Sequence, residues 1–322
     1  MNPLKPILEI IAFSFFLALP SVLFAQDKAI DWINENAHEL HSGSSSSDQD
    51  LRFLSKTLEG KTLVGLGEAS HGTEEFYFQK RRFVKYLVSQ DKYRLLALES
   101  PTTYVEPINN YIQTGEGDLR ITLKSMGLYN SEEFYKLCQW LKSFNESRPP
   151  NDKAIIIGFD DEAYWSDPLT RDKNMAENFI KSHKQGNPKT ILWSHNLHLA
   201  KDTTMAQYKA MGFHLKEQYA DQYYVIGFDT YNGSVSVLNN GQLESHDFAG
   251  KENTFSALFG KASFEAFFVD FHKAPNPFLK MENSITNIYS NWQEPKPLPI
   301  VPGADFDGLI FIRETTASKG IK

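Results

Sequence analysis

Five short, mostly apolar runs, Thr62–Leu66, Arg94–Leu98, Ala154–Phe159, Thr190–Trp193 and Tyr223–Phe228, are separated by stretches with helical patterning. Runs of that length, bounded by polar residues or Gly and lacking strict alternation, read as strands buried on both faces. Phe76, Phe83, Val84, Leu87 and Val88, for example, recur at helical spacing after the first run. Helices covering both faces of a mainly parallel sheet are the arrangement that hides such strands from water. The expected fold class is therefore α/β, a three-layer α/β/α sandwich with a mainly parallel central sheet, to which Gly308–Arg313 adds a late strand. After Phe228 the pattern changes. Ser234–Leu238 and Gln242–Phe248 flank Asn240-Gly241, a pair suited to a two-residue hairpin turn, so a C-terminal β-hairpin extension is expected. Phe264–Phe271 reads as a further strand, and the Pro- and Asn-rich stretch Lys273–Gly303 as loop with a short helix around Ile285–Trp292. Ahead of the first strand, Ala29–Leu40 and the run through Leu51, Leu54 and Leu58 have helical spacing, joined by the polar loop Gly43–Asp48.

The N-terminus carries Lys5, an apolar run from Ile10 to Phe24 interrupted by Pro20, and Leu23-Phe24-Ala25. This is the layout of a secretory signal peptide, Met1–Ala25, with cleavage after Ala25. A retained anchor is the alternative. The remainder, 26–322, is expected to form a single domain that is periplasmic or secreted. No later segment approaches the roughly 18 apolar residues that a span requires, so no stable membrane span is expected once the leader is removed. Cys138 is the only cysteine, which excludes an intramolecular disulfide and a Cys-based metal cluster. It falls in an amphipathic helical stretch, Glu132–Leu141, where a small core residue is the simplest role. The formal charge of −7, with no clustered basic residues, points to no nucleic-acid partner.

The ends of the strands carry the chemistry. Strand one runs out into Gly67-Glu68-Ala69-Ser70-His71-Gly72-Thr73, strand two ends at Glu99, strand three at Asp160-Asp161-Glu162, strand four at His195-Asn196-Leu197-His198 and strand five at Asp229. In a parallel sheet all of these ends share the edge at which open α/β folds place their ligand sites. Glu68, three residues before His71, suits a carboxylate that orients an imidazole and raises its basicity, as a general base requires. The same turn also reads as a capped helix start, with Ser70 or Thr73 at the N-cap and Glu74 and Glu75 favoured by the helix dipole. His195 and His198 suit metal ligands, catalytic groups, or one buried structural and one exposed His. Ser70 lacks the Gly-x-Ser-x-Gly setting of a nucleophile elbow.

Several of these motifs together resemble the erythromycin esterase family. They are Gly67–Phe76, the Glu of Leu96-Ala97-Leu98-Glu99, Ile157–Asp160, Arg171–Asn178, Trp193–His198 and Phe306–Ile312, in the same order. The resemblance implies a three-layer α/β/α hydrolase that opens an ester or lactone of a small molecule with activated water, without a covalent intermediate, a cofactor or an essential metal. It implies that His71 is the general base, that Glu68 and Glu99 are active-site carboxylates and that His195 is a second essential imidazole. His198, Lys80, Arg81 and Asp160 are expected around the substrate, Lys80 standing where the family has Arg. The chain departs from macrolide-hydrolysing members after Asp161, where only Glu162–Thr170 replaces a long helical insertion. That departure predicts an esterase that serves a large macrolide poorly. Two other readings fit the same residues: a metal-dependent hydrolase using the Glu/His cluster, and a non-enzymatic exported ligand-binding protein.

Overall fold

The structure, a computed structural model, describes residues 27–43, 48–183 and 188–322. The leader Met1–Ala25 and residues 44–47 of the polar loop lie outside the described residues.

Period-two alternation decides the layers, because successive side chains of a strand leave opposite faces of the sheet. In β2 (Leu63–Leu66), Val64 and Leu66 join one apolar core and Leu63 the other. In β3 (Tyr93–Pro101), Leu96 and Leu98 go to the first core and Ala97 to the second. The split recurs in β5 (Lys189–Trp193), β6 (Tyr223–Asn239) and β11 (Gly308–Thr315). The first core is closed by α3 (Glu74–Gln90), α4 (Thr102–Thr114) and α6 (Glu132–Glu146), through residues such as Phe83, Ile108 and Leu137. Cys138 is buried there. The second is closed by α7 (Pro168–Ser182), α9 (Met211–Tyr219) and α10 (Phe255–Phe259), together with the helix over 27–36.

Among the described residues the sheet has nine strands in the order β1-β8-β11-β6-β2-β5-β3-β4, with β7 attached to β6. Here β1 is His38–Glu39, β4 Ile155–Asp160, β7 Gln242–Phe248 and β8 Ala266–Asp270. From β11 across to β4 every neighbouring pair is parallel, so these strands deliver their carboxyl ends to one edge. The β8 and β1 pairings at one side are antiparallel, as is the β6–β7 hairpin. Its turn residues Asn240 and Gly241 both have positive φ, 49° and 78°, as the two-residue hairpin turn demands. The two strands expected at Tyr223–Phe228 and Ser234–Leu238 form one continuous β6, whose first half pairs with β2 and β11 and whose second half pairs with β7.

Two local expectations are corrected. The first helix ends at residue 36, and the chain then turns into β1 against β8. No helix forms at Ile285–Trp292; β9 (Asn283–Ile285) instead pairs with β10 (Leu298–Ile300), with irregular chain between. The reason is tertiary. The Thr286 N–H donates to Asp229 Oδ1 at 3.0 Å and the Ile288 N–H to the Ala69 carbonyl at 2.8 Å, so the amides a helix would use are taken by the strand ends. Among the described residues, no helix is long and apolar enough to cross a membrane.

Candidate active site

The turn after β2 passes through a space that admits no side chain at two positions. A Cβ on Gly67 would lie 2.1 Å from Asn196 Oδ1, and one on Gly72 would lie 1.7 Å from the Ser236 carbonyl oxygen. Neither glycine has positive φ, so close approach rather than torsion requires them. Asn196, pressed against Gly67, donates from its side chain to the Phe228 carbonyl at 2.7 Å and accepts the Phe228 N–H at 3.1 Å, which ties the end of β5 to β6. Thr73 occupies the N-cap position of α3 without a side-chain cap bond, its hydroxyl being hydrogen-bonded to that of Ser70. Glu74 and Glu75 of the first turn accept hydrogen bonds from the C-terminal segment at Lys319 and Thr316.

Glu68 is buried with both oxygens engaged. Oε1 lies 2.7 Å from His71 Nδ1, while Oε2 accepts from Lys80 Nζ at 2.5 Å and from Trp193 Nε1 at 3.1 Å. Burial alone would raise its pKa, but the Lys80 charge and His71 hold it below the ordinary glutamate value. Lys80 is fully buried, with its ammonium over the Trp193 ring at 4.6 Å. Burial brings its pKa down to about 8 despite the pull of Glu68. His71 keeps 21% of its side chain exposed. In the neutral form of His71 the carboxylate beside Nδ1 selects the tautomer with the proton on Nδ1 and the lone pair on Nε2.

Glu99 occupies a separate position. Its Oε2 accepts from Ser194 Oγ at 2.7 Å and from the His195 N–H at 2.9 Å; its Oε1 faces Arg171 Nη2 at 3.1 Å and His198 Nε2 at 3.3 Å. Although burial opposes ionisation, His198, His71 and Arg171 hold the carboxyl well below the usual range. His198 Nδ1 lies 2.8 Å from Asp172 Oδ1, and Asp172 also accepts from the Tyr208 hydroxyl and the Met211 N–H. Burial would lower the His198 pKa, but Asp172 and Glu99 overcome it and raise the value to about 10. His198 is thus a fixed cation. Asp160 accepts from Arg171 Nη2 at 2.7 Å and Trp165 Nε1 at 2.8 Å.

His195 differs from both neighbours. Its ring is 5.1 Å from that of His71 between centroids and 6.4 Å from that of His198. Burial first, and then the His71 charge, push its pKa down to about 3, so the imidazole stays neutral. Nδ1 accepts the Leu197 N–H at 3.3 Å, which puts the proton on Nε2, and Nε2 is buried without a partner.

The strand ends therefore bring together Glu68, His71, Glu99, Asp160, His195 and His198. Asp229 does not join them: its Oδ1 accepts from Ser256 Oγ and the Thr286 N–H, and burial without a cation raises its pKa to about 7. Arg81, expected near the substrate, bonds Glu133 at 2.6 Å and lines a charged depression of about 430 Å³ on the outer flank of α3. Lys80 belongs to the cluster, but its burial directs its charge to Glu68. The residues that sequence reasoning left without a role are Arg171 and Asp172. Their signal was adjacency: two opposite charges in the first turns of α7, just beyond the short connection from Asp160. Among the described residues no three His, Cys, Asp or Glu groups converge as metal ligands; both oxygens of Glu68 and Glu99 and both nitrogens of His198 are already spent on protein partners.

The family profile described as "Erythromycin esterase" matches residues 88–168 and 161–315. The chain belongs to the erythromycin esterase family. Within this family and its neighbours, the Bacillus subtilis (strain 168) protein YbfO, whose name places it provisionally among hydrolases, is 33% identical over 152 residues, 47% of this chain and 33% of that protein. Erythromycin esterase type I of Escherichia coli is 24% identical over 111 residues, 34% of this chain and 27% of its own length. The matched stretches thus span about a third or less of these curated relatives. A Bacillus cereus protein of solved structure superposes with a TM-score of 0.82 at 22% identity, covering 92% of this chain and 99% of that one. An erythromycin esterase mutant, EreC in its open conformation, superposes with a TM-score of 0.67 at 14% identity, covering 85% and 95%. At these identities the superpositions carry the fold, which is that of erythromycin esterases.

Proposed function

We propose that this family member is an exported carboxylic ester hydrolase in which His71 activates water and neutral His195 receives the developing oxyanion. The single observation behind this reading is the pair of imidazoles in opposite hydrogen-bonding states, 5.1 Å apart. Glu68 fixes the lone pair of His71 on Nε2; the Leu197 N–H fixes the proton of His195 on Nε2.

Water gives a proton to His71 Nε2 as its oxygen bonds to the ester carbonyl carbon. The carbonyl π electrons move to oxygen, where His195 Nε2–H donates a hydrogen bond. Collapse of the tetrahedral species breaks the bond to the alcohol oxygen, which takes the proton back from the His71 imidazolium. Glu68 stabilises that imidazolium. The neutral state of His195 removes it as a proton source and leaves it a dipolar donor, while Glu99 positions it by holding its backbone N–H and the Ser194 hydroxyl. General base catalysis supplies about 10²- to 10⁴-fold, and a preorganised oxyanion donor about 10²- to 10³-fold.

For the substrate we infer a compact or extended ester rather than a large macrolide. The connection after β4 is a 3₁₀ turn at Glu162–Tyr164 leading into α7, which offers little wall for a ring that must bury most of its surface. Trp165 is 50% exposed beside Asp160, whereas Phe278 is consumed by the second core against Trp32, Phe255 and Phe271. The leader-like N-terminus supports export to the periplasm or beyond. His71→Asn is expected to fold like the wild type and to lose at least about 10²-fold in kcat on whichever simple ester the wild type cleaves best. Retention of more than about a tenth of kcat would overturn the role of His71. Erythromycin should be cleaved with kcat/KM below about 10⁴ M⁻¹s⁻¹, the lower end of ordinary enzyme efficiency, and a higher value would sink the substrate inference.

A further inference from the structure

His195 Nε2 is not the only buried polar atom without a partner at this edge. Asn287 is fully buried, and both its Nδ2 and its Oδ1 lack a hydrogen bond. A buried polar group left unsatisfied costs about 1–3 kcal/mol, and folded proteins carry few of them. An amide with two such atoms is therefore placed for something the folded chain alone does not provide.

Its position follows from its neighbours. The Thr286 N–H donates to the Asp229 carboxyl within β6, and the Thr286 hydroxyl donates to the Thr230 carbonyl at 2.6 Å. The Ile288 N–H donates to the Ala69 carbonyl, two residues before His71, and the Ile288 side chain packs with Val235, Val237 and Phe248. Asn287 thus lies between the middle of β6 and the turn after β2. His195 reaches the same place from β5: the next residue, Asn196, donates its N–H to the Glu68 carbonyl and clamps Phe228, the residue before Asp229. Asn287 and His195 consequently flank the turn that carries His71, one from the β6 side and the other from the end of β5.

We propose that Asn287 is a second oxyanion donor: its Nδ2–H and the Nε2–H of His195 both donate to the reacting carbonyl oxygen, and its Oδ1 accepts from water. This rests on the ester-hydrolase reading and adds a substrate-contacting residue to it. Two donors bracket an oxygen as it becomes tetrahedral more tightly than one, and because neither donor has a protein partner, neither must break a bond to serve.

The test pairs turnover with thermal melting, using the best cleaved of p-nitrophenyl acetate, butyrate and octanoate. Asn287→Leu removes both amide atoms without breaking a protein hydrogen bond. It is expected to melt at or above the wild-type temperature while kcat falls about 10²- to 10³-fold and KM changes by less than about 3-fold. A purely structural Asn gives the reverse, a lowered melting temperature with kcat within about 3-fold of wild type, and that result overturns the proposal. If the Leu variant does not fold, Asn287→Asp decides: it keeps the shape, loses the donor and adds an acceptor, so kcat retained within about 3-fold overturns the proposal and a loss of about 10²-fold or more upholds it. Activity lost in His71→Asn but kept in both Asn287 variants sinks this inference alone. Activity surviving in His71→Asn, or no cleavage of any of the three esters by the wild type, sinks the hydrolase reading beneath it.

Discussion

Glu68, just beyond the end of β2, and Asp229, on β6 just beyond its pairing with β2, are both buried and stand in opposite electrostatic states. Glu68 meets Lys80, Trp193 and His71, and its pKa falls even though burial opposes ionisation. Asp229 meets a hydroxyl and a backbone amide, no cation, and its pKa rises to about 7. The difference comes from the elements packed over each strand end. A buried carboxylate stays ionised when a helix delivers a charge to it, as α3 delivers Lys80; without that charge its pKa rises and it serves as a hydrogen-bonded bracket, here holding the Thr286 segment and α10 to β6.

The sharpest way to break the comparison is to neutralise Glu68. In Glu68→Gln the Lys80 ammonium is left buried without its counter-charge, which should cost about 3–5 kcal/mol of stability in addition to activity. Adding Lys80→Met should recover most of the melting temperature and none of the kcat. Recovery of kcat in the double variant would show that Glu68 acts only by holding Lys80, and failure to recover stability would show that the pair is not the unit described.

Asp172 provides a second, smaller test. The His198 pKa, about 10 when folded, lies above its ordinary value of 6.5. Its stabilising contribution is therefore complete below pH 6.5 and is lost as pH rises through about 10. Asp172→Asn should lower the melting temperature at neutral pH and flatten this alkaline loss. The wild-type-minus-variant difference is the quantity to read, since Lys80, with its folded pKa lowered to about 8, contributes in the opposite sense to both proteins. A difference that stays constant from pH 6 to 10 would mean that Asp172 does not hold the His198 proton.

The smallest effect is expected at Asp229. Its folded pKa is raised from 3.8 to about 7, so between those values the unfolded state has already lost the proton that the folded state keeps. Stability then falls as pH rises through that window and stays lowered above it. Asp229→Asn keeps the acceptor for Ser256 and Thr286 and has no proton to lose. It should match the wild type near pH 4 and melt higher at pH 8, by about 2–8 °C. Equal melting temperatures at both pH values would mean that Asp229 is ionised and solvated after all.

The amino-acid order by itself determined the sheet and its two faces, because period-two burial is written residue by residue and needs no distant partner. It also determined the turn after β2: Glu68 and His71 are three residues apart, and only a glycine passes where Asn196 and Ser236 crowd the chain. Tertiary structure alone decided the charge states. Lys80 reaches Glu68 across a helix packing, Arg171 reaches Glu99 across 72 positions of sequence, and Asp229, spelled like the other strand ends, meets no cation at all. It likewise decided that Ile285–Trp292 stays non-helical, since amides that local patterning assigned to a helix are bonded to Asp229 and Ala69. Local periodicity records which face a residue buries; ionisation depends on which charges come within a few ångströms through space, and only the folded chain sets those distances.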